Sequence, residues 1–153
     1  MRYATNVAIE TFRIPPSTGH VDPECFFKGR KVKIDNQFHE FAVSIGPRYS
    51  IKGFSGSVHQ TRGGSSADIV KAFELQRLTP EHIFVLLHYL NMDGSHLLEI
   101  PKGEDEANII LGFSNGVCYY VEHEFENDVD EIHLHARPAT RDWGADKPLV
   151  IKF

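Results

Sequence analysis

The chain predicts a single α+β domain spanning residues 1–153, with a mostly antiparallel sheet of about six to eight strands and a central two-helix segment packed on one face. Three observations carry this expectation. Short β-rich runs stand on both sides of two helical segments, an Asn115-Gly116 pair sits between two of those runs, and 153 residues with 41% hydrophobic and 24% charged content suit one core. A compact chain of this length buries roughly 70% of the surface its unfolded form exposes, so no second domain or linker is required. Strands that flank a helix pair imply a sheet with segregated helices.

The elements follow in order. Tyr3 to Phe12 is rich in β-branched and aromatic residues and predicts a strand, ended by Pro15-Pro16 and a turn-rich stretch to Pro23. Glu24 to Ile34, with the alternating Lys31-Val32-Lys33-Ile34, predicts a hairpin arm. Phe41, Val43 and Ile45 share one parity, the period-two mark of a half-buried strand. Arg62-Gly63-Gly64-Ser65-Ser66 is a loop, and Ser65-x-x-Asp68 fits a capping box that opens a helix running to about Leu78. Thr79-Pro80-Glu81 supplies an N-cap, a proline at the first helical position and an early acid for a second helix, Pro80 to about Asn91, stopped by Met92-Asp93-Gly94. Asn115-Gly116, two residues that accept positive φ, closes a hairpin between Ala107–Phe113 and Val117–Val121. His96 to Ile100, Ile132 to Arg137 and Leu149 to Phe153 complete the strands.

Composition narrows the function classes. The longest apolar stretch, Ile83 to Leu90, is interrupted by His88 and is far shorter than the roughly 20 residues of a membrane span. Cys25 and Cys118 lie far apart, so neither a disulfide framework nor a zinc knuckle is signalled. With no secretory pattern at the N-terminus, a cytoplasmic compartment is the expectation. The net charge of −5 hides a polarity. Met1 to Arg62 carries nine Lys/Arg against five Asp/Glu, whereas Glu99 to Glu131 carries ten acids against Lys102 alone. An acidic stretch of this kind speeds encounter with a basic partner and disfavours a phosphate backbone.

Two functional expectations follow. The first is a small acidic protein-binding module, of the inhibitor or immunity type, that neutralises a basic partner such as a nuclease toxin. Its contact residues would be Glu104, Asp105, Glu106, Glu126, Asp128, Asp130 and Glu131, with Trp143 as an anchor. Trp143 equally suits a place over a core edge. No Ser/His/Asp or Cys/His arrangement has a spacing that indicates nucleophilic catalysis, and this expectation involves no cofactor. The basic and aromatic stretch Phe26 to Lys33 mixes residues as nucleic-acid surfaces do, but the negative total weighs against that partner.

The second expectation is a small hydrolase. If the strands around Tyr120–Glu126 and Ile132–Arg137 pair with Phe125 opposite Ile132, alternation puts Glu122, Glu124, His133 and His135 on one face, opposite the side of Val121 and Leu134. Two imidazoles and two carboxylates are a donor set for a divalent ion such as zinc. The same groups can perform acid–base chemistry, or simply form cross-strand pairs on a solvated sheet. His123 has the wrong parity to join them. A fainter pattern is His59-Gln60-Thr61, which resembles one of the two H-x-[ST] motifs of the two-histidine phosphoesterases. That resemblance implies neighbouring strands whose histidines flank a scissile phosphate, with His59, Thr61 and His133 as the residues concerned. The second motif departs from the pattern, because His135 stands where a Ser/Thr is required. The loop Arg62 to Ser66 could cradle an anion on its backbone N–H groups but lacks the Gly-Lys-Ser/Thr ending of a P-loop.

Overall fold

The computed structural model describes residues 8–19, 31–42, 49–51, 54–90, 106–126, 129–140, 142–143 and 148–153. Its strands are β1 (Glu10–Ile14), β2 (Ser17–Gly19), β3 (Lys31–Ile34), β4 (Tyr49–Ile51), β5 (Phe54–Gln60), β6 (Glu106–Ser114), β7 (Val117–Glu126), β8 (Val129–Pro138) and β9 (Leu149–Lys152). Its helices are α1 (Asn36–Ala42), α2 (Ser66–Phe73) and α3 (Pro80–Leu90). Seven strands form one sheet in the order β1-β5-β9-β6-β7-β8-β3, and β2 pairs with β4 in a separate ribbon. The main sheet is antiparallel except where β6 meets β9 and β3 meets β8. This is an α+β fold, as the strand and helix pattern implies. The expected strand at His96–Ile100, the segment before Ala8 and the arm from Glu24 to Arg30 lie outside the described residues.

Local chemistry accounts for the best-formed elements. Ser65 Oγ accepts the Asp68 N–H at 3.2 Å and caps α2, which ends where Glu74 takes a left-handed conformation (φ 52°). That stop comes earlier than Leu78, because the chain turns to lay Arg77 beside Phe113 and to donate the Leu78 N–H to the Phe113 carbonyl at 2.8 Å. In α3 the cap is reciprocal. Thr79 Oγ1 accepts the His82 N–H at 3.4 Å, and His82 Nδ1 accepts the Thr79 N–H at 3.2 Å, a capping box with histidine in the place of Glu or Gln. Ile83, Leu86, Leu87 and Leu90 recur at helical spacing and are all buried. Asn115 (φ 50°) and Gly116 (φ 74°) both take positive φ and close the β6–β7 hairpin, as their types predict.

One element differs from expectation in its type. The stretch around Phe41, expected as a strand, is α1 over its described part, Asn36–Ala42. Phe38, Phe41 and Ala42 fall at i, i+3 and i+4, a helical spacing, whereas the alternation that suggested a strand joins Phe41 to Val43 and Ile45, and a run this short is ambiguous between the two periods. The Asp35 carbonyl accepts the His39 N–H at 3.0 Å and starts the helix, and Phe38 and Ala42 are buried. Val43 and Ile45 lie outside the described residues.

The sheet is covered on two sides. α1 and α3 pack on one face, where Phe38, Leu86, Ile109, Val121 and Leu134 belong to the larger core cluster. The two central helices separate. α2 lies with the smaller cluster of Ile69, Phe73, Ile110, Cys118, Tyr120, Trp143 and Val150. Strand alternation requires this division, because Ile109 and Ile110 are adjacent in β6 and point to opposite faces.

Candidate functional site

The face away from α1 and α3 changes character across the sheet. On β8 the odd-numbered residues Glu131, His133, His135 and Arg137 point to this face, since their neighbours Ile132, Leu134 and Ala136 are in the larger core. The β7–β8 register pairs Val121 with Leu134 and Glu122 with His133, so Phe125 lies opposite Asp130 rather than Ile132. This corrects the expected register by two residues. An even shift leaves every side chain on its expected face. Glu122, His133 and His135 therefore share the face that alternation assigned to them. Glu124 lies in register with Glu131, and its side chain is outside the described ones.

The residue missed by sequence reasoning is Asp35. It follows β3, whose Lys31 and Lys33 share its parity, and β3 pairs in parallel with β8 at the sheet edge, Lys33 opposite His133. The Asp35 N–H donates to the Leu134 carbonyl at 3.0 Å, and its Oδ2 accepts the Ala136 N–H at 3.0 Å, so the carboxylate is held beside the two histidines. His133 Nε2 lies 2.9 Å from Asp35 Oδ1, and His135 Nδ1 lies 3.6 Å from Asp35 Oδ2. One ligand atom from each of Asp35, His133 and His135 fits within a 4.8 Å group. The only sequence signal for Asp35 was the alternation of Lys31, Lys33 and Asp35; no local pattern names the strand they join.

His135 is the most constrained member, only 6% exposed. Its ring stacks on Tyr120 at 4.6 Å and on His133 at 3.6 Å between centroids. Its Nε2 is 3.0 Å from Glu122 Oε1, and because a carboxylate only accepts, this nitrogen carries the proton. Nδ1 is buried and has no hydrogen-bond partner among the described residues. Burial, the largest influence, pushes the imidazole below its ordinary pKa of 6.5, helped by the neighbouring His133, and outweighs the opposing pull of Glu122 and Asp35. Asp35 also titrates below its ordinary range. Burial alone would raise it, but the His133 hydrogen bond, the Ala136 N–H and the charges of Arg137 and His133 together prevail.

The other expected site residues are dispersed. His59 is on β5, with three strands between it and β8, a separation of about 19 Å across four strand spacings. It does not meet His133; its Nε2 is 2.8 Å from Ser57 Oγ, and its ring is 5.3 Å from Phe73. Thr61 is buried and donates its hydroxyl to the Pro148 carbonyl at 2.7 Å. The two-histidine arrangement is thus not assembled by this sheet order. Trp143, expected as an anchor for a partner, is 1% exposed and packs edge-on against Tyr120 at 5.0 Å, which places it over the core edge. Glu131 is engaged within the chain, by Lys33 at 3.0 Å and Lys31 at 3.5 Å. Glu104, Asp105 and Asp128 lie outside the described residues, as do the side chains of Glu106, Glu126 and Asp130. The loop before α2 is tied down, its Gly64 carbonyl accepting the Trp143 N–H at 2.8 Å. A crevice of about 260 Å³ by the β6–β7 turn holds Arg77 and Ser114, whose side chains hydrogen-bond to each other at 3.2 Å.

Among the described residues no helix is long and apolar enough to cross a membrane. Comparison with family models, with curated proteins and with solved structures finds no match to this chain.

Proposed function

We propose that this protein binds a divalent metal ion through Asp35, His133 and His135 and uses it in hydrolysis. One observation carries the reading. His135 lies between two carboxylates, and with its proton donated to Glu122 the buried Nδ1 lone pair faces Asp35 Oδ2 at 3.6 Å. Two acceptors face each other there, an arrangement that a proton, a water or a metal ion placed between them relieves. Burial makes a second proton on the imidazole costly. A metal ion fits the need: ligands on bonds of about 2.1 Å in a tetrahedral shell stand about 3.4 Å apart. Glu122 then supplies the usual support, a carboxylate that accepts the other N–H of a ligating histidine and fixes its tautomer. His133 would hold the ion through Nε2 as the Nδ1–H tautomer, the proton that now lies between Nε2 and Asp35 moving to Nδ1.

Two imidazoles and one carboxylate leave coordination positions open, as catalytic sites do and closed structural sites do not. An ion so held polarises a bound oxygen or lowers the pKa of a bound water. The acidic-module reading rests on the charge run from Glu99 to Glu131, whose member Glu131 is already paired with lysines. Titration calorimetry of Zn²⁺, Mn²⁺ and Fe²⁺ into chelator-treated protein tests the proposal. Micromolar or tighter binding of at least one ion, lost in the His133→Ala/His135→Ala double variant, is expected. Binding weaker than millimolar for all three, or binding that survives the double substitution, would return this face to cross-strand pairing.

A further inference from the structure

Arg137 closes the row on β8 that contains His133 and His135. Its Nε is 3.8 Å from Asp35 Oδ2, its side chain is 52% exposed, and its terminal nitrogens take no partner among the described residues. Lys33 and Lys31 stand on the other flank, in register with His133 and Glu131 on the neighbouring strand. The side chains described on this patch are Asp35, Glu122 and Glu131 against Lys31, Lys33 and Arg137, and Glu124 shares the face by its register with Glu131. A divalent ion on Asp35, His133 and His135 would add two positive charges to the patch, with the Arg137 guanidinium 3.8 Å from one of the residues holding it.

Resting on the metal centre proposed above, we infer that its substrate class is a phosphate ester, held by one oxygen on the metal and two on the Arg137 fork. Asp35 is shared between the two sites, and this sets the scale. A metal bonded to the Asp35 carboxylate lies within about 6 Å of Arg137 Nε, the 3.8 Å contact plus an ordinary metal–oxygen bond. A tetrahedral phosphoryl group bridges that gap with oxygens to spare. A carboxylate has two oxygens, too few to occupy the metal and both arms of the fork together. The guanidinium's planar pair of N–H donors matches phosphoryl oxygens. The flanking lysines add field without geometry, since Glu131 already holds them. Arg137 is thus a substrate-binding residue; no bond-making step is assigned to it.

The experiment uses the full chain loaded with one equivalent of Co²⁺, whose visible absorption reports changes at the metal. Inorganic phosphate and acetate are titrated separately into wild type, Arg137→Gln and Arg137→Lys, each at its own saturating cobalt. Phosphate should perturb the wild-type spectrum and bind about tenfold or more weakly in Arg137→Gln, with partial recovery in Arg137→Lys, a point charge without a fork. Acetate should bind more weakly than phosphate to wild type. Equal phosphate affinity in wild type and Arg137→Gln, or acetate binding as tightly as phosphate, overturns the assignment of Arg137 and of the phosphoryl class. Cobalt binding without any phosphate effect overturns this inference alone. Failure of cobalt, zinc, manganese and iron to bind at all overturns the metal centre and this inference with it.

Discussion

The sheet face turned away from α1 and α3 is two surfaces joined at Tyr120. On the β9–β6 side α2 lays Ile69 and Phe73 toward Ile110, Cys118 and Val150, and Trp143 seals the margin. On the β8–β3 side no described helix covers the sheet, and the same alternation delivers His133, His135, Glu122 and Asp35 in place of aliphatic groups. Tyr120 serves both, edge-on to Trp143 and stacked on His135. The difference is in how each surface satisfies its own groups. The apolar side is held by packing alone, whereas the polar side holds the buried His135 ring between two carboxylates, Glu122 at 3.0 Å and Asp35 at 3.6 Å.

The sharpest way to break that comparison is to truncate neighbours that point to opposite faces. Leu134→Ala, in the fully buried core beneath α1, should lower unfolding free energy by about 2–5 kcal/mol, measured by urea denaturation without metal. His135→Ala, one residue on, removes an imidazole of similar burial but also the acceptor facing Asp35, and should cost at most about half as much. Equal losses would mean that the histidine is ordinary packing and that the polar side is not poised for a ligand.

Metal loading should then separate the surfaces in the other direction. At free zinc about 100 times the dissociation constant, linkage predicts about 2.7 kcal/mol of added stability, seen as a Tm higher by several degrees and reversed by chelator. His133→Ala/His135→Ala should abolish the gain, while Ile110→Ala on the apolar side should keep it on a lower baseline. A gain that persists in the double variant would place the ion elsewhere.

Acidification gives a smaller effect with a defined sign. Burial, the dominant influence, holds His82 below 6.5, and its Nδ1 must be unprotonated to accept the Thr79 N–H. The unfolded chain therefore binds more protons, and this contribution, complete above pH 6.5, is lost as pH falls through the folded-state value. His82→Gln keeps an acceptor that does not titrate, so it should flatten the stability profile below pH 6.5 by an amount of the order of a helix cap, about 0.5–2 kcal/mol. Asp35, held below 3.8, adds a second loss only below that pH. An unchanged slope in His82→Gln would show that the cap does not respond to protonation.

The smallest expected change is at the β6–β7 turn. A Cβ on Gly116 meets no atom within 4 Å, so Gly116→Ala costs only the positive φ of 74°, about 1 kcal/mol, and should leave metal affinity unchanged. A larger loss, or altered metal binding, would tie the hairpin to the polar surface.

Much of the fold was legible because its signals are local. Ser65 and Asp68, Thr79 and Pro80, and Asn115 and Gly116 act over one to three residues, and the corresponding helices and hairpin stand where those residues put them. The face shared by Glu122, His133 and His135 was legible as well, since period-two alternation survives an error of two in register. The same locality explains why α1 differs from the expected strand: Phe41 belongs both to an alternating run with Val43 and Ile45 and to a helical face with Phe38 and Ala42, and packing of Phe38 and Ala42 selected the helix. Asp35 had no local signal. It reaches the histidines across 98 residues of sequence because β3 docks in parallel on the edge of β8, and that pairing is chosen by burial of Val32 and Ile34 against the core on the opposite face. Trp143 likewise became a core residue through a contact with Tyr120 that nothing in its own loop announces. Alternation, caps and turns are properties of a few consecutive residues and can be read from them; which strand borders which edge depends on the summed packing of the whole chain, and that alone brought a carboxylate to the two histidines.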